Sequence, residues 1–148
     1  MKRAPALHPL SHDHHHTLVQ CMRLRRATAE DAAQVRAGFL VHWEAEVARH
    51  FRVEEEVLLP AFARHGDVHD AAVVRALCDH VEIRRDVAAL ADVPEADPEA
   101  LHALAERLDA HVRHEERVLF PLVEAALPAA ELEALGKAIA GAEASAQG

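Results

Sequence analysis

The sequence predicts an all-α protein, an up-down-up-down four-helix bundle with a short C-terminal helix. Three observations carry this. Alanine, leucine, valine, glutamate and arginine dominate a chain with only five glycines and seven prolines in 148 residues, a composition that favours helix over sheet. Apolar residues recur at intervals of three and four over long segments, and no segment alternates with the period of two that a strand requires. The connections between the periodic segments are short, so successive helices run antiparallel. Length and core size fit one domain over 1–148, with the bundle at about 7–127 and the short helix at about 128–141.

Each element has its own signals. The first helix is expected after Pro9, capped by Ser11, and to run to about Arg26. In "TAED", Thr28 and Asp31 have capping-box spacing and start the second. That helix reaches about His65, with Pro60 bending or ending it early and Gly66 as its C-terminal stop. The third covers Val68 to Ala91 and closes at "DVPEADP". There Asp97 is the N-cap and Pro98 the first-turn proline of the fourth, which continues to about Ala126 with a bend at Pro121. Pro128 precedes the short last helix, which ends near Gly141.

Charge and hydropathy exclude several classes. A net charge of −9 and the lack of a basic stripe argue against a nucleic-acid partner. No apolar run approaches the length of a membrane span, and "MKRAPALHPLSHDHHH" has no continuous apolar segment of the kind a signal peptide carries. Cys21 and Cys78 form no metal or redox motif, so two free thiols in a reducing cytoplasm are expected. Oligomeric state is not legible.

Thirteen histidines are an excess of the commonest metal-ligating side chain. Most informative are "HFRVEEEVLLP" at 50–60 and "HVRHEERVLFP" at 111–121, which hold His, Glu and Pro in one register. In the fourth helix Leu101, Leu104, Leu108, His111, Glu115, Val118 and Leu122 form one stripe at intervals of three and four. Phe39, Trp43, Val47, His50, Glu54 and Val57 do the same in the second. Val73, Leu77, His80, Arg84, Val87 and Ala91 form the stripe of the third helix, and Leu7, Leu10, His14, Leu18 and Cys21 that of the first. Four helices therefore each aim one histidine at the bundle axis, and two add a glutamate one turn on. Two buried carboxylates without partners would cost several kcal/mol each, a cost that bound cations remove. The set His14, His50, Glu54, His80, His111 and Glu115, with two carboxylates able to bridge, suits two cations. On this reading the side chains are ligands, and no residue is assigned a catalytic role. Glu55, Glu56 and Glu116 are placed on the solvated face with His65, His69 and His102; His42, His114 and Arg84 are left open.

These residues resemble those of hemerythrin-like (HHE cation-binding) domains, four-helix bundles with a non-heme di-iron centre. The resemblance covers about 7–127 and rests on "LSHDHHHTL", "HFRVEEEVLLP", "DHVEIRRDV" and "HVRHEERVLFP". It implies two iron ions, with zinc or manganese as other occupants. His14, His50, His80 and His111 are implied as ligands, and Glu54 and Glu115 as bridges. His14 is preferred over His15 and His16 because Asp13-His14 matches Asp79-His80. The oxygen carriers of the family have a second histidine where Arg84 stands, and an aspartate five residues after the fourth-helix histidine, where this chain has Glu115 at four. The resemblance therefore implies a cytoplasmic protein that binds or senses a small diatomic or redox species such as oxygen or nitric oxide. The alternatives are iron handling, iron–sulfur cluster repair, or consumption of peroxide or nitric oxide. The 148 residues include no stretch resembling the repair proteins' cysteine-bearing N-terminal domain, which counts against that alternative.

Overall fold

The structure, a computed structural model, describes residues 2–145; Met1 and 146–148, the ends of the expected 1–148 domain, lie outside the described residues. A short 3-10 turn, Pro5–Leu7, leads into α1, His8–Arg25. The second helix, α2, runs continuously over 32–63, α3 is Ala71–Asp92, α4 runs over 98–126, and α5 is Ala129–Ser145. No strand occurs among the described residues. The first four helices form the up-down-up-down bundle. The fifth packs along α2 and against the Pro5–Leu7 turn. No helix among the described residues is long and apolar enough to cross a membrane.

The starts of α3 and α4 follow from their caps. The Asp70 carboxylate accepts from the Ala72 amide, so α3 begins three residues later than Val68, and Asp97 accepts from Glu99 with Pro98 in the first turn of α4. Ser11 is not a cap: α1 begins earlier, at His8, and the Ser11 hydroxyl donates to Glu116 at 2.8 Å. Of the capping box only the return half forms, with Asp31 accepting from the Thr28 amide at 2.7 Å. Gly66 closes α2 without the left-handed conformation of a glycine stop. It is glycine because the Phe62 ring lies on its Cα, where a Cβ would stand 2.2 Å from the ring. The last helix extends past Gly141 to Ser145.

Neither Pro60 nor Pro121 ends its helix. Each follows a wide turn with i→i+5 hydrogen bonding, Glu54–Leu58 in α2 and Glu115–Leu119 in α4. Each proline then falls in the first turn of the α-helical segment that resumes, the position at which a helix tolerates a residue without an N–H. A third such turn, Trp43–Val47, lies in α2 between His42 and His50. The extra residue in the Glu54–Leu58 and Glu115–Leu119 turns advances the inward face by one position. Leu58 and Phe62 are buried in place of the expected Val57, and Leu119 and Val123 in place of Val118 and Leu122; Val118 is 48% exposed. On α3, too, Ala76, Ile83 and Leu90 take the core, while Leu77 and Ala91 are exposed and Arg84 is half-buried.

The apolar core is in two parts. One surrounds Leu7, Leu10, Leu58, Phe62, Val73, Leu119, Phe120 and Ile139. The other surrounds Cys21, Leu24, Phe39, Phe51, Ile83, Leu101, Leu104 and Leu108. Between them lies a buried polar layer.

Candidate metal centre

The polar layer consists of His14, His50, Glu54, His80, His111 and Glu115, none more than 3% exposed. The structure brings all six predicted residues together in two overlapping groups. The first is His14, His50, Glu54 and Glu115; the second is Glu54, His80, His111 and Glu115. Both carboxylates belong to both groups, and each divides its oxygens between them. Glu54 places Oε2 3.2 Å from His50 Nε2 and Oε1 3.1 Å from His80 Nε2. Glu115 places Oε1 2.9 Å from His14 Nε2 and Oε2 3.2 Å from His111 Nε2.

Each imidazole is oriented from behind. His14 Nδ1 donates to Glu116 at 2.6 Å and His50 Nδ1 to Asp13 at 2.9 Å. His80 Nδ1 donates to Glu55 at 2.6 Å and His111 Nδ1 to Asp79 at 3.0 Å. Carboxylates in this position select the tautomer that leaves Nε2 as a lone pair facing the centre. The pattern is two-fold. The aspartate preceding the histidine of α1 or α3 holds the histidine of the next helix. The glutamate following Glu54 or Glu115 holds a histidine of α3 or α1. Glu55 and Glu116 thus belong to the site, against the expectation that they face solvent; Glu56 is exposed as expected. The usable signal was the repeat, which doubles the glutamate and sets Asp before His on both odd-numbered helices.

A donor set of this kind fits a cation. Four imidazole nitrogens and four carboxylate oxygens converge with no positive group of the chain between them. Glu54 Oε2, Glu115 Oε2 and His111 Nε2 are buried without a hydrogen-bond partner among the described residues. Such orphans are costly unless something else binds them. Without a metal, protons take its place. Burial opposes charge on His80, yet hydrogen bonds to Glu115, Glu54 and Glu55 push it up to about 11. Burial likewise opposes charge on His111, but the Glu115 charge and the Asp79 hydrogen bond raise it to about 9. Glu115 is held well below the usual carboxylate range, against its burial, by His111, His14 and His50.

Around this layer, Phe51 stacks on His80 at 3.9 Å and Phe120 on His14 at 5.3 Å, so apolar rings cover two ligand faces. Arg84 points away from the centre and grips Glu55 at 2.7 Å. Asp13 also neighbours Glu143 of α5, which reaches Arg49 at 3.1 Å. Burial and the Asp13 carboxyl push Glu143 up to about 7. Two of the other histidines are structural and two superficial. His114 is buried against the Ala72 carbonyl at 2.9 Å and His102 bonds the Ala27 carbonyl at 2.8 Å, whereas His65 and His69 are exposed.

The family model of the hemerythrin HHE cation-binding domain matches residues 6–123, and again 78–138. The chain belongs to the hemerythrin HHE cation-binding family. Residues 6–123 of this HHE bundle contain every member of the buried His/Glu layer. The domain therefore binds metal ions, and the His/Glu layer is its candidate site. No curated protein and no solved structure gave a significant match.

Proposed function

We propose that the protein is a non-heme di-iron protein that binds or senses a small diatomic species such as oxygen or nitric oxide. The observation that carries this reading is the sharing of Glu54 and Glu115 between two four-residue groups. His14 and His50 would hold one iron, His80 and His111 the other, and the two carboxylates would bridge them. Imidazole with carboxylate suits iron, and also accepts zinc or manganese. Iron held by these residues would supply a redox-active centre able to take an exogenous ligand.

The chain's own residues set the conditions. Asp13, Glu55, Asp79 and Glu116 hold the four rings in position and keep Nε2 directed inward. Phe51 and Phe120 keep water from His80 and His14. Reversible oxygen carriage is not part of the proposal. Arg84, at the position where carriers have a further histidine, is committed to Glu55.

The test is elemental analysis of natively purified protein, with anaerobic optical spectra before and after oxygen and nitric oxide. About two irons per chain and a ligand-dependent spectrum are expected. Metal content below about half an ion per chain would remove the basis of the reading. Stoichiometric binding supports a binding or sensing role, while sustained consumption of nitric oxide or peroxide would make the protein an oxidoreductase instead.

A further inference from the structure

Outside the buried layer, three more histidines and a carboxylate lie in successive pairwise contact at the α1–α2 surface. His12 and His16 lie one turn apart on α1, with ring centroids 4.5 Å apart. Two imidazoles at i and i+4 on one helix face have the spacing that chelates a single divalent cation. Facing them from α2, Glu46 divides its carboxylate. Oε1 is 3.4 Å from His16 Nδ1 and Oε2 is 3.1 Å from His42 Nδ1.

We infer that His12, His16, His42 and Glu46 form a second, peripheral site for one divalent transition-metal cation of the imidazole-preferring class, such as zinc. The four residues offer three nitrogens and one carboxylate, a set that suits zinc; their donor atoms touch in pairs, so binding draws the exposed side chains together around the cation. His16 and Glu46 have side chains 42% and 32% exposed, so a cation enters without opening the bundle, and both side chains are free to close on it. The His42 side chain is only 11% exposed and faces the cluster through Nδ1, which lies against Glu46. Burial, its largest influence, holds His42 below the ordinary histidine value, so it presents a neutral ring.

Two further observations separate this cluster from ordinary surface polarity. The wide turn Trp43–Val47 carries Glu46 and begins directly after His42. The other wide turn of α2 and that of α4 begin at Glu54 and Glu115, and α4 has no counterpart of Trp43–Val47 among the described residues. Wide turns of this type concentrate at functional positions. The pseudo-two-fold that superposes His14 on His80 and His50 on His111 sets His16 and Glu46 against Glu82 and Arg107. There Arg107 simply makes an ion pair with Glu82. Helix pairing at this level is thus achieved by one ion pair, whereas the α1–α2 side carries imidazoles with a carboxylate. His42 lies eight residues before His50, about 12 Å along the helix axis, so the site is distinct from the buried layer.

The experiment is equilibrium dialysis of the full chain against zinc chloride, comparing wild type with the His12→Asn/His16→Asn double variant and with Glu46→Gln, with iron measured in every sample. The outer site is read as the zinc that wild type holds and the double variant does not, whatever the buried layer contains. One zinc per chain is expected in that difference, with Glu46→Gln weakening it about tenfold or more. Iron content and helical circular dichroism should be unchanged, since these side chains lie at the surface. Equal zinc uptake by wild type and double variant overturns the inference, as does zinc that binds only by expelling iron.

Discussion

His14 Nε2 and His50 Nε2 face each other at 3.0 Å, while Glu116 and Asp13 occupy the Nδ1 atoms of the same two rings. With both Nδ1 atoms donating, two nitrogen lone pairs converge on one point that also receives Glu54 Oε2 and Glu115 Oε1. Lone pairs converge in this way around a cation or a shared proton, and a cation bound in the buried layer would have to displace the proton.

Ligand substitution tests the centre most directly. Glu115→Ala removes an oxygen from both groups, and His111→Ala removes a nitrogen from one. Glu115→Ala should therefore lower metal content at both positions, and His111→Ala chiefly at the second, with loss of about half the bound metal. Elemental analysis reads both. Unchanged iron in the two variants would dismiss the assignment.

Protonation gives metal-free and metal-loaded protein opposite responses to pH. His80 and His111 are raised from 6.5 to about 11 and about 9. Their contribution to the stability of the metal-free fold is complete below 6.5 and is lost as pH rises through 9 and then 11. Glu115 lies well below 4.5, so its contribution is complete above 4.5 and is lost as pH falls further. The metal-free protein should be most stable between these limits and lose stability in alkali. Metal must displace the imidazole protons, so its affinity rises with pH. Thermal unfolding of stripped and loaded protein from ~pH 6 to ~pH 9 should show Tm of the stripped form falling and the gap between the forms widening. Parallel curves would contradict the proton–metal exchange.

Gly66 supplies a prediction on the fold itself. The Phe62 ring, 1% exposed, rests on Gly66, and an added Cβ would stand within 2.4 Å of two ring carbons. Gly66→Ala must displace a core aromatic, at a cost of about 1–3 kcal/mol typical of overpacking. A urea midpoint unchanged from wild type would show that the ring moves freely.

The six inward residues were legible because intervals of three and four carry a helix face without knowledge of its neighbours. That arithmetic fails where the helix widens. After Glu54 and Glu115 one extra residue enters the turn, so Leu58 and Leu119, not Val57 and Val118, continue the face. Pro60 and Pro121 signalled an irregularity but not its form. Glu55 and Glu116 sit beside the stripe when one helix is read alone. Their role exists only across helices, where His80 and His14 offer an Nδ1–H. Asp79 likewise serves the histidine of α4 rather than its own neighbour, His80.

That cross-helix arrangement gives the last prediction. Glu55 receives His80 Nδ1 at 2.6 Å and Arg84 at 2.7 Å. Against its own burial, those two partners lower Glu55 to about 2, so it stays an anion at neutral pH. Glu55→Gln removes that anion yet leaves a side chain of nearly the same size. It should weaken metal binding about 10- to 100-fold, the usual effect of losing a carboxylate behind a ligating histidine. Arg84→Leu leaves the His80–Glu55 bond in place and should act in the same direction with smaller effect, because it frees Glu55 to move without removing its charge. Rates of metal loss to a chelator give the order: wild type slowest, Arg84→Leu intermediate, Glu55→Gln fastest. If Arg84→Leu releases metal as fast as Glu55→Gln, the arginine acts on the centre through more than Glu55. If neither differs from wild type, the carboxylates behind the rings do not hold the histidines in their binding geometry.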